Sequence, residues 1–234
     1  MESRRVTVNQ PCIFADLHLF ERILKSNVAV NMRSAQFSRQ GWQSVYHIKT
    51  SQGKLNMAIP VRHYGHWVAI KEAEVAWQDS HWVKKQIRTI EQSYKKAPYF
   101  DAVIDRVVRI FMTEWKCIGD MALESMVLGL QWLDEPAIFI HDDELLPYER
   151  PDDASDWVLA MCKQAKATEY YCGKVASDRY LKYEEFKREG IEVIPQDWHC
   201  PEYPQLYPPF VGNLSILDLM FNVSPEEGRR VLGL

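Results

Sequence analysis

Apolar positions along the chain follow two periods, one typical of buried strands and one typical of helices. Short apolar runs that fit buried strands occur at residues 6–8, 28–32, 137–140, 169–172 and 191–194. Helical spacing predicts helices at residues 17–25, 156–165 and 183–188, with Asp16 and Ser155 as N-caps of the first two. Because strands joined through a crossover helix run parallel, this alternation predicts a mostly parallel sheet.

A different pattern occupies the middle of the chain. Two strand-like runs, at residues 46–50 and 54–61, flank Ser51-Gln52-Gly53 and predict a hairpin, and residues 69–75 are expected to add a strand. Helical spacing then continues through residues 80–94, 101–115 and 120–133. These three segments predict a helical layer inserted between two α/β parts.

The predicted fold class is therefore α/β, with a mostly parallel, Rossmann-like sheet and an inserted helical layer. A chain of 234 residues is expected to form one domain. Its parts are an N-terminal βαβ unit plus hairpin at residues 1–79, the helical layer at 80–135 and a C-terminal α/β part at 136–234.

Polar residues follow each predicted strand of the parallel sheet. They occupy residues 9–10, 31–36, 141–143, 173–178 and 196–199. Ligands of such sheets bind outside the carboxyl ends of the strands. We therefore expect these segments to line one crevice.

Charge and cysteine content narrow the range of functions. The net charge of −4 gives no support for DNA or acidic-membrane binding, and no apolar stretch is long enough to span a membrane. Five cysteines without a C-x-x-C pair predict neither a disulfide framework nor a zinc ribbon, so a cytoplasmic location is expected. The signature motifs of zinc hydrolases, P-loop kinases and serine hydrolases are missing, and no metal ligands are predicted.

Two segments of the predicted crevice have phosphate-binding character. His18 falls in the first turns of a helix that follows a strand, where backbone N–H groups and the helix dipole favour anions. The stretch from Gly173 onward supplies Lys174 and Ser177 at another strand end. A solvent-facing histidine and an ordinary connecting loop are the competing interpretations.

The C-terminal segment, residues 196–222, combines four prolines and several aromatic residues with a following apolar helix pattern. Its composition alone favours a strap that packs over the core. Its start at a predicted strand end, beside the loop at Gly173, favours a second interpretation in which Gln196, Asp197, Tyr203 and Gln205 line the site.

Five groups of residues recur in one order along the chain. They are Gln10-Pro11 with Phe14 and Phe20; Gln36-Phe37-Ser38-Arg39 with Ile48-Lys49 and Ile59-Pro60-Val61; Trp82, Thr89-Ile90, Tyr94 and Lys96-Ala97-Pro98-Tyr99-Phe100; Tyr171-Cys172-Gly173 with Tyr180-Leu181; and Gln196-Asp197, Pro201, Tyr203, Gln205-Leu206, Phe210, Leu214-Ser215-Ile216 and Asp218. Together they resemble the WbqC-like family of bacterial proteins over nearly the whole chain.

Residues that the family pattern usually contains are replaced in three places of this chain. Ala15-Asp16-Leu17-His18 stands where the family usually has Pro-Trp-x-Gly, and Arg33-Ser34-Ala35 where it usually has an Asp-Asp pair. Gln86 replaces a family histidine. The departures imply either a different substrate or chemistry that is altered or lost.

The resemblance implies an enzyme that forms amide bonds in surface-polysaccharide or natural-product biosynthesis. It would transfer an acyl or aminoacyl group to an amine, such as an amino sugar nucleotide or a natural-product intermediate. The predicted layout is also similar to the nucleotidyltransferase-like fold of class I tRNA synthetases and pantothenate synthetase. That similarity implies that ATP activates the acyl or aminoacyl group. Mg²⁺ is expected only if a nucleoside triphosphate is bound.

The expected site residues come from the strand ends and the family motifs. The residues expected to act in catalysis are His18, Asp197, His199 and Asp218. Those expected to bind substrate or nucleotide are Gln10, Gln36, Arg39, Gly173, Lys174, Ser177, Tyr180, Gln196, Tyr203, Gln205 and Ser215. Asp197 or Asp218 would deprotonate the attacking amine, with His199 as an alternative base.

Two other functions stay open. One is a non-catalytic protein that binds a sugar nucleotide or a partner enzyme. The other is an aminoacyl-tRNA-dependent transferase, for which Lys84, Lys85, Arg88, Lys95 and Lys96 form a local basic patch although the net charge disfavours it. The oligomeric state is not specified by the sequence.

Overall fold

The computed structural model describes residues 3–78, 81–147 and 151–234. The chain divides into two compact units. Unit 1 comprises Met1–Gln10, Glu21–Ser34 and Pro136–His199, and unit 2 comprises Pro11–Phe20, Ala35–Glu135 and Cys200–Leu234. The boundary expected between residues 79 and 80 lies outside the described residues.

Seven strands and ten α-helices lie in the described part of the chain. The strands are β1 (Arg5–Asn9), β2 (Val28–Asn31), β3 (Val45–Thr50), β4 (Gly53–Ala58), β5 (Phe139–His141), β6 (Glu169–Cys172) and β7 (Glu192–Pro195). The helices are α1 (Leu17–Leu24), α2 (His81–Tyr94), α3 (Phe100–Met112), α4 (Ile118–Leu133), α5 (Asp142–Leu145), α6 (Ala154–Gln164), α7 (Lys174–Arg179), α8 (Tyr183–Arg188), α9 (Ile216–Asn222) and α10 (Pro225–Val231).

Unit 1 is built on a parallel five-stranded sheet with the spatial order β5-β2-β1-β6-β7. Numbered by appearance along the chain, these five strands lie in the order 3-2-1-4-5, which is the order of a doubly wound, Rossmann-like sheet. The order reverses between β1 and β6, the point at which such sheets bind their ligands. The mixed α/β class and the parallel sheet predicted from the sequence are confirmed.

Helices cover this sheet because its strands are apolar on both faces. All four residues of β2 and the three central residues of β1 are buried, as expected for parallel strands. Helix α6 packs against β1, and α8 packs against β7. Tyr170 of β6 stacks on Phe186 of α8 with 5.6 Å between the ring centroids, so the core of unit 1 extends under the short helices.

Unit 2 contains the predicted hairpin and the predicted helical layer. Strands β3 and β4 pair antiparallel from Val45↔Ala58 to Thr50↔Gly53, and Gly53 takes the positive φ of +98° that the tight turn requires. Helices α2, α3 and α4 pack in sequence, and α9 packs against both α3 and α4. A Cβ at Gly129 of α4 would lie 2.6 Å from the ring of Phe20, so glycine permits this close helix approach.

Three local predictions were wrong. Residues 69–75 form no strand; they contain a 3-10 turn at Ile70–Glu72 and isolated bridges at Ala69, Glu74 and Val75. The N-cap of α6 is Asp153, whose carboxylate accepts from the backbone N–H groups of Ser155 and Asp156. The segment after Gly173 is helical rather than a loop.

Helix α10 was not predicted, although its local signals are present in the sequence. Ser224 accepts a hydrogen bond from the backbone N–H of Glu227, and Pro225 occupies the first helical position, where its missing N–H costs nothing. In the described residues, no helix is long and apolar enough to cross a membrane.

Candidate functional site

An arginine from α1 lies at the carboxyl ends of three strands of unit 1. Arg22 donates from Nη2 to Oδ1 of Asn9, the last residue of β1, over 3.0 Å. It donates from Nη1 to Oε1 of Gln196, the first residue after β7, over 2.6 Å. Its side chain is 8 % exposed. A buried cation therefore lies where the strand order of the sheet reverses.

Gly173, directly after β6, makes room for this guanidinium. A Cβ at this position would lie 3.1 Å from Nη1 and 3.3 Å from Cζ of Arg22. Contacts that short require the arginine to move. Packing against Arg22 thus explains why a glycine occupies position 173. The anion-binding role that the sequence suggested for Gly173 stays a prediction.

A buried carboxylate lies beside the arginine. Glu21, 4 % exposed, accepts hydrogen bonds from the Tyr171 hydroxyl at 3.0 and 2.9 Å to its two oxygens. It also accepts from Nε2 of Gln196. Because the amide of Gln196 donates to Glu21 and accepts from Arg22, its orientation is fixed by both charges. Gln196 was predicted as a site residue, and the structure brings it together with two charged residues that were not.

The positive charge of Arg22 lowers the pKa of ionisable side chains in the neighbouring strand β6. Burial raises the pKa of the Cys172 thiol to about 11, and Arg22 offsets part of that rise. Burial likewise raises the pKa of Tyr170 and Tyr171, again with Arg22 acting in the opposite direction. The thiol therefore stays protonated at neutral pH, as expected for an inert buried cysteine, while the arginine supplies a positive potential at the end of β6.

The helix α7 after Gly173 carries the other predicted phosphate ligands. Lys174 is exposed at its first position. The hydroxyl of Ser177 lies 2.7 Å from the Tyr183 hydroxyl and 3.3 Å from Oδ1 of Asp178. Tyr180, just after this helix, is 41 % exposed.

The remaining predicted residues of unit 1 follow its strands. Asp197 and His199 are exposed in the segment after β7. Gln10 is half-buried directly after β1. The structure thus places Gln10, Gln196 and Asp197 at carboxyl ends of the same sheet, as predicted.

A second group of predicted residues forms a buried network in unit 2. Asp218 of α9 is fully buried, and its carboxylate accepts from the hydroxyls of Tyr94 and Tyr203 at 2.8 and 2.7 Å. Nε2 of Gln205 donates to it over 2.7 Å. Burial raises the pKa of Asp218, and these three donors oppose that rise.

Lys49 of β3 joins this network to the Pro-rich segment. Its ammonium donates to Oε1 of Gln205 over 2.8 Å and to the carbonyl of Pro209 over 2.6 Å. Burial lowers the pKa of Lys49, and the charge of Asp218 acts against that shift. These contacts fasten residues of the C-terminal segment to β3, α2 and α9 within unit 2. They support the packing interpretation for Tyr203, Gln205 and Asp218, whose roles toward a substrate stay predictions.

The other predicted residues of unit 2 are His18, Gln36, Arg39 and Ser215. His18 is half-buried in the first turn of α1, where its ring meets the Trp42 ring edge to face at 5.7 Å. Gln36 and Arg39 are exposed, and Ser215 is fully buried before α9. Asp16 lies directly before α1, and its backbone carbonyl accepts from the N–H of Leu19 over 3.0 Å. Its carboxylate lies 3.4 Å from Nδ1 of His47.

Arg33, Ser34 and Gln86, which differ from the family pattern, form hydrogen bonds to other residues of the protein. Arg33 donates from Nε to Asp143 over 2.9 Å, and the Ser34 backbone N–H donates to Asp142 over 3.2 Å. Gln86 is buried; it accepts from the Tyr46 hydroxyl over 2.6 Å and donates to the carbonyl of residue 58 over 2.7 Å. Arg33, Ser34 and Gln86 therefore each form hydrogen bonds within the fold.

Sequence reasoning missed Arg22, Glu21 and Lys49, the charged residues that organise both groups. Adjacent charged residues in a predicted helix, such as Glu21 and Arg22, usually lie on its solvent-exposed face. The sequence therefore does not distinguish these two residues from ordinary surface charges. Within residues 3–78, 81–147 and 151–234, no group of three or more His, Cys, Asp or Glu residues is arranged to hold a metal ion.

The fold and this strand-end cluster define a Rossmann-like α/β protein with a buried arginine at its topological switch point. The model of the WbqC-like protein family matches residues 10–230, so the chain belongs to that family. It is 29 % identical over 197 residues to "Uncharacterized protein Rv1507c" of Mycobacterium tuberculosis, a match that covers 82 % of this chain and 81 % of that protein. No solved structure matches the chain.

Proposed function

We propose that this protein binds a nucleotide or a nucleotide-linked substrate at the carboxyl ends of β1 and β6, and that it forms an amide bond by transferring an acyl or aminoacyl group to an amine. The observation that carries the proposal is the buried guanidinium of Arg22 at the point where the strand order reverses. Doubly wound sheets bind nucleotides at this point.

The geometry of Arg22 suits an anionic ligand. Its guanidinium is held by two amide oxygens, those of Asn9 and Gln196, at 3.0 and 2.6 Å. A planar group that is already oriented loses little side-chain entropy when it binds phosphate or carboxylate. Lys174, exposed at the start of α7, adds a second cation on the segment that follows the neighbouring strand.

Acyl transfer to an amine needs two further elements. A base must remove a proton from the amine, and donors must stabilise the oxyanion that forms at the attacked carbonyl. Asp197 and His199, exposed beyond β7, are the proposed bases in unit 1. Lys174 and Ser177 are the proposed donors, with Tyr183 orienting the Ser177 hydroxyl over 2.7 Å. ATP with Mg²⁺ is the proposed activating cofactor.

A non-catalytic binding role is the second candidate, and one observation favours it. Asp218, which the sequence predicts as a base, is fully buried and already accepts three hydrogen bonds. These hydrogen bonds use the carboxylate to hold the C-terminal segment in place. In this second function the strand-end cluster binds a sugar nucleotide without chemistry.

A ligand panel separates the two functions. A thermal-shift series would compare ATP, a sugar nucleotide and free amino acids, because a ligand at 100 times its Kd adds about 2.7 kcal/mol of stability. Stabilisation by ATP and pyrophosphate release that depends on an added amine are expected for the enzyme. Stabilisation by the sugar nucleotide alone would support the binding protein and overturn the activation step.

Variants at the cluster locate the effect. Lys174→Ala is expected to weaken nucleotide binding, and the matched control is Lys84→Ala, an exposed lysine of α2. Arg22→Lys keeps the charge but loses the fork that reaches both Asn9 and Gln196, and it is expected to weaken binding by about tenfold or more, the effect of losing one charge-assisted hydrogen bond. Equal affinities for Lys174→Ala, Arg22→Lys and the native protein would contradict the assignment of this site.

A further inference from the structure

An exposed tryptophan in unit 2 lies against two histidines. Trp42 is 53 % exposed. The ring of His18 meets it at 5.7 Å with an interplanar angle of 85°, and the ring of His47 meets it at 6.1 Å and 87°. Both imidazole rings are therefore nearly perpendicular to the indole.

The second histidine is paired with a buried carboxylate. Asp16 is 5 % exposed, and its Oδ1 lies 3.4 Å from Nδ1 of His47. Backbone hydrogen bonds from Ser215 to the carbonyl of His47 and from Ile216 to that of Ala15 hold the two chain segments side by side. A histidine oriented by a buried carboxylate is the arrangement of a general base.

From this geometry we infer that Trp42, His47 and Asp16 form a binding site for an organic amine, with His47 as the base that takes the amine's proton. A carboxylate and the face of an indole both favour a cation over a neutral or anionic ligand. When Nδ1–H of His47 donates to Asp16, Nε2 carries the lone pair that accepts a proton. The protonated amine R–NH3⁺ then gives one proton to Nε2, which leaves R–NH2 and an imidazolium stabilised by Asp16.

This inference goes beyond the proposed function and does not depend on it. Binding of an amine at Trp42 requires no nucleotide and is measured without one.

The test uses three matched small probes: benzylamine, benzyl alcohol and benzoate. Their binding would be followed by NMR on the histidine side chains and the tryptophan indole N–H groups. Benzylamine is expected to shift the signals of Trp42 and His47, benzyl alcohol to shift them less, and benzoate to leave them unchanged. Equal responses to benzylamine and benzoate, or no response to benzylamine at millimolar concentration, would overturn the inference.

Two substitutions with controls complete the test. Trp42→Ala is expected to weaken benzylamine binding about fivefold, the loss of one cation–π contact. Trp67→Ala is the control, since Trp67 is 48 % exposed in the same unit. Equal loss in both variants would mean that the amine binds non-specifically to exposed indoles.

Asp16→Asn tests the dyad itself. Nδ1 is the imidazole nitrogen of His47 that is expected to carry hydrogen beside Asp16, which the ¹⁵N shifts would show. The variant is expected to lose this preference, and to bind benzylamine more weakly but benzyl alcohol equally well. An unchanged tautomer and unchanged affinity would refute the role of Asp16. If ATP fails to bind while benzylamine does, the nucleotide proposal falls and the amine site stands; the reverse result removes only the amine site.

Discussion

Removing the hydroxyl of Tyr94 should destabilise the protein more than removing that of Tyr203. Both hydroxyls donate to Asp218, over 2.8 and 2.7 Å, and both side chains are buried. Tyr94 has a second task, because its oxygen also accepts from the backbone N–H of Lys49 over 2.8 Å. Tyr94→Phe therefore removes two hydrogen bonds, and Tyr203→Phe removes one.

The magnitudes follow from these counts. A hydrogen bond to a charged group contributes about 1.5–3 kcal/mol, so Tyr203→Phe should lower the free energy of unfolding by that amount. In that variant, Gln205 still donates to the same oxygen of Asp218. Tyr94→Phe adds the cost of an orphaned buried N–H, about 1–3 kcal/mol, which gives a total of about 2.5–6 kcal/mol.

Urea unfolding at neutral pH, followed by circular dichroism, measures both losses. Tyr183→Phe is the control, because that side chain is 41 % exposed and should change the free energy of unfolding by less than about 0.5 kcal/mol. If Tyr94→Phe costs no more than Tyr203→Phe, the hydroxyl of Tyr94 does not join β3 to α9 and the network described for unit 2 is wrong.

Three further predictions concern titration, reactivity and packing. Burial raises the pKa of Asp218 in the folded protein, so the native state keeps the carboxyl proton to higher pH than the unfolded state does. The stability that this difference contributes is present below the unfolded pKa of about 4 and is lost as the pH rises through the folded pKa. The free energy of unfolding of Asp218→Asn, measured against pH, should lack this loss. Because burial raises the pKa of Cys172 to about 11, iodoacetamide at pH 8 should leave this thiol unmodified until urea unfolds the protein, and mass spectrometry of the peptide that contains it would detect the opposite result. Gly173→Ala places a Cβ 3.1 Å from Arg22 and should lower the free energy of unfolding in urea by about 1–3 kcal/mol. Gly65→Ala is the control and should not change this free energy, because no atom lies within 4 Å of its added Cβ. Equal losses of stability in the two variants would contradict the packing described for Gly173.

The parallel sheet was predictable because its strands are short apolar runs separated by helical spacing. β-branched residues such as Val6, Val28 and Val30 fill the strand interiors, and all are buried. The predicted helix at residues 17–25 and the strands at each side of it correspond to β1, α1 and β2. The pattern failed at residues 69–75, where apolar residues recur but only isolated bridges form.

Local competition explains the other wrong boundaries. Both Asp153 and Ser155 are good caps, and only tertiary context decides which carboxylate or hydroxyl meets the first N–H groups. The segment after Gly173 has the composition of an ordinary loop. Its helix, α7, has only six residues, which is too short to show the hydrophobic periodicity of a helix in the sequence.

The site was only partly predictable from the sequence. Strand ends are visible in a sequence, so Gln10, Gln196 and Gly173 could be predicted to lie at the carboxyl ends of the sheet. Arg22 was not, because its importance comes from the sheet order, which brings the ends of β1, β6 and β7 beside the last turn of α1. No spacing rule along the chain contains that information.

Hydrogen–deuterium exchange with and without ATP is the most direct test of the proposed nucleotide site. ATP is expected to slow exchange in peptides that contain Gln10 and the segment from Gly173 to Lys174, at the carboxyl ends of β1 and β6. Exchange around Gly190 and Ile191, which precede β7 at the opposite end of the sheet, is expected to stay unchanged. Protection confined to that opposite end, or no protection at saturating ATP, would contradict a nucleotide site at the switch point.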